Sequence, residues 1–198
     1  MSASKSSAAP ARALVQTSRP ARAWPAAALL SLTLTGCFEP SATDQLAEAK
    51  ARLAKGDVAA ADVLLKASLQ QDPKSGEARF LLARNLLQEG SLAEAEIELN
   101  KAVAAGYDKE QVTPLLAESL VRRGQFDKVI SGYKETQLKQ PKQQSALLVN
   151  LAKAYIGLQK YDAAKAAADQ ALKLDTDSLD ALLVDAQLKS LGRQYEPA

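Results

Sequence analysis

Small and apolar residues recur along the chain every 34 or 35 residues, and this recurrence predicts paired helices. An alanine lies seven residues before each predicted turn, and an alanine or valine lies five residues after it. Small side chains at fixed positions allow two helix backbones to approach closely, so each copy is predicted to form a helix–turn–helix unit. The turn positions are occupied by Gly56, Gly90, Gly124, Gln159 and Arg193.

The recurrence predicts four complete copies and a partial fifth copy. These copies span about residues 42–75, 76–109, 110–144, 145–178 and 179–198. In the third copy, the second helix is predicted over about residues 126–139. Pro73 and Pro141 are expected to end second helices, because proline cannot continue a helix.

The partial copy predicts a helix without a partner. The helix that starts at Leu179 has no second helix after it, so its apolar residues are expected to have nothing in the chain to pack on. We expect the chain to be a fragment of a longer array. Alternatively, this last helix itself caps the array.

The pattern of glycine and small residues resembles the tetratricopeptide repeat (TPR) over about residues 42–198. The resemblance implies an all-α fold, a TPR helix–turn–helix solenoid of about four and a half repeats after a cleaved N-terminal signal. The alternative is an alanine-rich helical bundle or coiled coil. Neither of these predicts a recurrence of glycine and alanine every 34 residues.

Residues 1–36 have the organisation of a lipoprotein signal peptide. Their charges are all positive, and the apolar run over residues 26–36 is too short to span a bilayer. The stretch Leu34-Thr35-Gly36-Cys37 resembles the bacterial lipoprotein box, which implies cleavage before Cys37 and lipid attachment to it. Residues 37–42 would then form the lipidated cysteine and a linker before the TPR array of residues 43–198. The alternative is an ordinary cleaved signal with an incidental cysteine.

Lipidation implies a location on the periplasmic side of the bacterial envelope. Two or more acyl chains hold a protein stably to a membrane, whereas one chain does so only marginally. In enterobacteria-like sorting, an aspartate after the cysteine favours the inner membrane. This chain has Phe38 there, which favours the outer membrane.

Composition and charge predict a binding protein without enzymatic activity. After removal of residues 1–36, the chain has 21 basic and 23 acidic residues, which does not favour nucleic acid as a partner. The chain has no histidine, and Cys37 is expected to carry lipid. With no phosphate-binding loop or metal-ligand spacing, we expect no catalytic residue, metal, cofactor or small-molecule substrate.

First helices line the concave side of a TPR solenoid, and their exposed positions select the partner. The alternative is that these positions form only a solvated surface. We expect envelope proteins as partners on this face. The candidate partner-binding residues, from the repeat phase, are Phe80, Arg84, Gln88, Glu118, Arg122, Asn150 and Lys153.

One stretch departs from a generic TPR pattern. Gly106-Tyr107, followed by Val112-Thr-Pro114-Leu-Leu-Ala117, resembles the PrsT-like TPR lipoproteins of the PEP-CTERM/exosortase system. The resemblance implies an envelope scaffold in exopolysaccharide production and PEP-CTERM protein sorting. The alternatives are a pilus-assembly TPR lipoprotein of the PilF/PilW type, which promotes secretin assembly, and an accessory domain of a longer enzyme.

Overall fold

The computed structural model describes residues 40–195, and the side chains of residues 40–192. This part of the chain contains nine helices and no strand, and the helices alternate as first and second members of pairs. The first helices are α1 (Ala42–Ala54), α3 (Gly76–Glu89), α5 (Lys109–Arg122), α7 (Pro141–Gly157) and α9 (Leu179–Tyr195). The second helices are α2 (Val58–Gln71), α4 (Leu92–Ala104), α6 (Phe126–Tyr133) and α8 (Tyr161–Leu174). The predicted all-α helix–turn–helix solenoid is confirmed for these residues. The predicted signal peptide and Cys37 lie outside them and stay predictions.

The small residues of the repeat lie where paired helices contact each other. Ala83 on α3 and Ala95 on α4 are completely buried, and so are Ala152 on α7 and Ala164 on α8. Leucines fill the space beside them; Leu99 is completely buried. Burial of one such leucine stabilises the fold by about 1.5–3 kcal/mol.

The turns between paired helices require a left-handed residue. At Gly90, φ is 88°, and its N–H donates back to the carbonyls of Leu86 and Leu87 to end α3. Glycine adopts this conformation without the steric penalty that other residues have. In the fourth copy, Gln159 occupies the equivalent turn with φ 59°. This turn is therefore strained where the others are not.

Helix α6 is shorter than predicted. It ends at Tyr133, whereas the sequence predicted a helix to about residue 139. The backbone N–H groups of Lys139 and Gln140 instead donate to the Glu110 carboxylate of α5, at 3.1 and 3.0 Å. These bonds hold residues 134–140 in a non-helical path.

The expectation that Pro141 ends a second helix is wrong. Pro141 is the first residue of α7, and the preceding helix has already ended. The backbone N–H of the first helical residue has no hydrogen-bond partner within the helix, so proline is accommodated there without loss. Pro73 does follow the end of α2.

The expectation that α9 has nothing to pack on is wrong for one of its faces. Ala181 and Val184 are buried, and α9 contacts both α7 and α8. The other face is exposed, including Leu179 at 76% and Leu183 at 67%. Ala186, whose equivalents in α3, α5 and α7 are buried, is exposed because no described second helix covers it.

Candidate functional site

Successive first helices pack against one another and form one side of the solenoid. Contacts join α3 to α5, α5 to α7, and α7 to α9. The first helices therefore form the inner, concave side of the solenoid. A cavity of about 290 Å³ lies on it, between α5, α7 and the start of α9. Glu118, Asn150 and Lys153, all predicted partner-binding residues, line this cavity together with Asp180.

Asn150 is the most constrained polar group of the cavity. Its Nδ2 donates to the carbonyl of Pro114 at 3.2 Å and to the carbonyl of Ala146 at 3.0 Å. These two bonds fix the amide, so Oδ1 is the atom left as an acceptor. That Oδ1 is buried and has no hydrogen-bond partner within the described residues. The side chain is therefore held in place with one acceptor unused.

Charged side chains border this amide on both sides. The Lys153 ammonium lies 3.6 Å from the Asp180 carboxylate, and Arg122 lies 3.4 Å from Glu118. Arg122 also donates to the carbonyl of Leu87 at 2.5 Å, which ties α5 to the end of α3. Arg122 thus supports the rim of the cavity and does not line it, whereas Glu118 and Lys153 face its interior.

The remaining predicted residues lie outside this cavity; they are Phe80, Arg84 and Gln88. Phe80 stacks on Tyr107 with ring centroids 4.5 Å apart, and the Arg84 guanidinium lies 5.9 Å from the centre of the Phe80 ring. Burial, with the nearby carboxylates of Glu77 and Asp108, raises the pKa of Tyr107. Phe80, Arg84 and Tyr107 therefore form a separate cluster at α3.

The expectation that the candidate residues are exposed is wrong at two positions. Phe80 and Asn150 each retain only 6% exposure. Phe80 is covered by Tyr107, and Asn150 is enclosed by the backbones of α5 and α7. Arg84, Gln88 and Arg122 are exposed, and Glu118 and Lys153 are half-buried.

Sequence reasoning missed several residues of the cavity. Lys142, Asp175, Ser178 and Asp180 line it from the start of α7 and from the segment that leads into α9. None of the predicted residues lies in the first turn of its helix, so the prediction missed residues near helix starts. Asp180 occupies the repeat position that Ala146 occupies in the fourth copy, and Ala146 lines the same cavity. The repeat pattern therefore contained a signal for Asp180.

The described residues contain neither a metal-binding cluster nor a membrane-spanning helix. Between residues 40 and 195, no cluster of three or more histidine, cysteine, aspartate or glutamate side chains is arranged to hold a metal ion. None of the helices in the same range has the length and apolar character needed to cross a membrane.

Comparison with known families gives a consistent result. Two family models, both described as tetratricopeptide repeat, match residues 52–119 and 145–178. The first match covers α2, α3 and α4 with parts of α1 and α5, and the second covers α8 and most of α7. The protein is a tetratricopeptide repeat solenoid. No curated protein matches it in sequence.

Solved structures of other TPR proteins have a similar fold. A thermophilic TPR protein from Thermus thermophilus aligns with a TM-score of 0.63 and 24% identity, over 77% of this chain and 84% of that one. A tetratricopeptide repeat protein from Parabacteroides merdae ATCC 43184 aligns with a TM-score of 0.61 and 24% identity, over 80% of this chain and 62% of that one. MamA from Desulfovibrio magneticus RS-1, from its residue 41 onward, aligns with a TM-score of 0.55 and 14% identity, over 79% of this chain and 97% of that one. These similarities concern the fold.

Proposed function

We propose that the protein is a scaffold that holds a segment of a partner protein in the cavity between α5, α7 and α9. TPR solenoids present extended concave surfaces that serve protein–protein interaction. The observation that carries the proposal is the convergence of Asn150, Glu118, Lys153 and Asp180 on this cavity. Polar groups of a bound segment would pair with the charged side chains that line it.

The other copies of the repeat do not have a polar residue at this position. The residues in phase with Asn150 are Ala47, Leu81, Leu115 and Val184, so an apolar side chain suits this position of the fold. A buried acceptor without a donor destabilises a protein by roughly 1–3 kcal/mol. A buried asparagine at a position where the other copies have an apolar residue, in a cavity lined by charged side chains, therefore supports a role in binding.

Substitution of Asn150 by the residue of the neighbouring copy tests this role. We expect Asn150→Leu to change the thermal stability little, because removal of the unpaired acceptor offsets the loss of the two hydrogen bonds from Nδ2. We expect it to abolish cross-linking of partner proteins through a photoreactive residue placed at Lys153. The same photoreactive residue at Val63, which is 68% exposed on α2, serves as the control position. Unchanged cross-linking at Lys153 in a folded Asn150→Leu protein would contradict the proposal.

We further propose that the scaffold is anchored by lipid on Cys37, on the periplasmic side of the envelope and at the outer membrane. The lipoprotein-box resemblance of residues 34–37, and Phe38 after them, support this. We expect Cys37→Ala to lose palmitate labelling and to leave the membrane fraction. A Ser41→Ala protein, which keeps the cysteine, serves as the control. Palmitate labelling of Cys37→Ala at the normal level would disprove the anchor.

The sequence around Gly106-Tyr107 supports a PrsT-like role in exopolysaccharide production and PEP-CTERM protein sorting. Affinity purification of the full-length protein from native membranes, followed by mass spectrometry, tests this role. We expect envelope proteins of polysaccharide export or of the exosortase system among the partners. Recovery of pilus secretin subunits instead would favour the PilF/PilW alternative.

A further inference from the structure

A second surface with a defined chemical character lies away from the concave cavity. It is a shallow, open groove of about 500 Å³ beside α6, lined by Lys128, Ile130, Ser131 and Lys134, together with Asp127 and, from the start of α8, Lys160. The three lysines are exposed, and Ile130 is half-buried between them. Because α6 has only 8 residues, Lys134 already lies just beyond its last turn.

The repeat does not require these three lysines. No other copy of the repeat has lysine at all three equivalent positions, so packing of the solenoid does not explain them. The residues in phase with Lys128 are Ala60, Glu94 and Ala163. The residues in phase with Lys134 are Lys66, Asn100 and Asp169. The residues in phase with Lys160 are Asp57, Ser91 and Gln125.

The lysines belong to a basic section of an otherwise acidic chain. Residues 125–165 contain seven lysines and three acidic residues, whereas the rest of residues 37–198 contains 14 basic and 20 acidic residues. Within the groove, three lysines face a single carboxylate, that of Asp127. Outside the lining, Glu135 lies 3.7 Å from Lys134 and is itself 87% exposed. A concentration of one charge in a concave surface attracts a partner of the opposite charge.

We propose that this groove binds an acidic segment of a protein partner. Lysine ammonium groups are mobile point charges, so they suit carboxylates spread along a flexible chain. Ile130 on the floor offers an apolar contact that a segment mixing acidic and apolar residues would use. The lining residues include no aromatic ring on which a sugar would stack. The proposal is independent of the concave cavity.

Charge reversal of the three lysines tests the groove. The probe is a short fluorescent peptide of glutamate and leucine, with binding to the detergent-solubilised full-length protein followed by anisotropy at low salt. We expect the variant Lys128→Glu, Lys134→Glu, Lys160→Glu to weaken binding by about tenfold, because exposed ion pairs are individually weak. We expect the affinity of the unchanged protein to fall as salt is added.

A matched variant controls for net charge. Lys66→Glu, Lys74→Glu, Lys109→Glu makes the same change at exposed lysines outside the groove, and we expect it to bind the peptide almost normally. Equal weakening by the two variants, or binding that does not respond to salt, would overturn the proposal. Tighter binding of alginate or of phosphatidylglycerol vesicles than of the peptide would overturn the assignment to a protein segment. Asn150→Leu should leave peptide binding unchanged, which separates a failure here from a failure of the proposed concave site.

Discussion

Leu99→Ala is expected to destabilise the protein by about 2–5 kcal/mol, the range for deletion of a fully buried leucine side chain. Leu99 on α4 is completely buried in the cluster formed by α3, α4 and the start of α5. Its removal leaves a cavity between helices that are already joined closely through Ala83 and Ala95, so the surroundings cannot collapse to fill it. Urea denaturation followed by circular dichroism measures the change in the free energy of unfolding.

Ile97 provides the matched control on the same helix. It lies two residues away and is 52% exposed, so Ile97→Ala removes little buried surface and is expected to change stability by less than about 0.5 kcal/mol. Because solenoid repeats are coupled mainly to their neighbours, hydrogen exchange in Leu99→Ala should rise in α3 to α5 more than in α8. Equal effects of the two substitutions would mean that the observed burial of α4 is wrong.

Gly157→Ala is expected to destabilise the protein by about 1–3 kcal/mol, although alanine is the better helix former. A Cβ atom at Gly157, the last residue of α7, would overlap with ring carbons of Phe126 on α6. The ring must then leave its place or α6 must move away from α7. Thermal and urea denaturation of the variant measure the loss.

Two further variants isolate the cause. At Gly132 on α6, an added Cβ meets no atom within 4 Å, so Gly132→Ala is expected to stabilise the protein by up to about 1 kcal/mol. In a Phe126→Ala background, Gly157→Ala should no longer be costly, which a double-mutant cycle shows directly. A stabilising Gly157→Ala in the unchanged background would refute the close contact between α6 and α7.

The candidate site was only partly predictable from sequence. The sequence predicted Glu118, Asn150 and Lys153 on the first helices, and the structure brings all three to one cavity. The sequence did not predict that Asn150 is enclosed by the backbones of α5 and α7. Burial of Phe80 depends on Tyr107, a loop residue with no counterpart of its kind in the other copies.

The sequence by itself determined the all-α class, the repeat length, most helix positions and the small residues at the helix contacts. These follow from local periodicity and from glycines such as Gly90, which indicate a left-handed turn between paired helices. The tertiary structure alone decided where α6 ends, which face of α9 is covered and whether a methyl group fits at Gly157. Each of these depends on an atom from a distant part of the chain, such as the Glu110 carboxylate or the Phe126 ring, and a local pattern contains no information about such contacts.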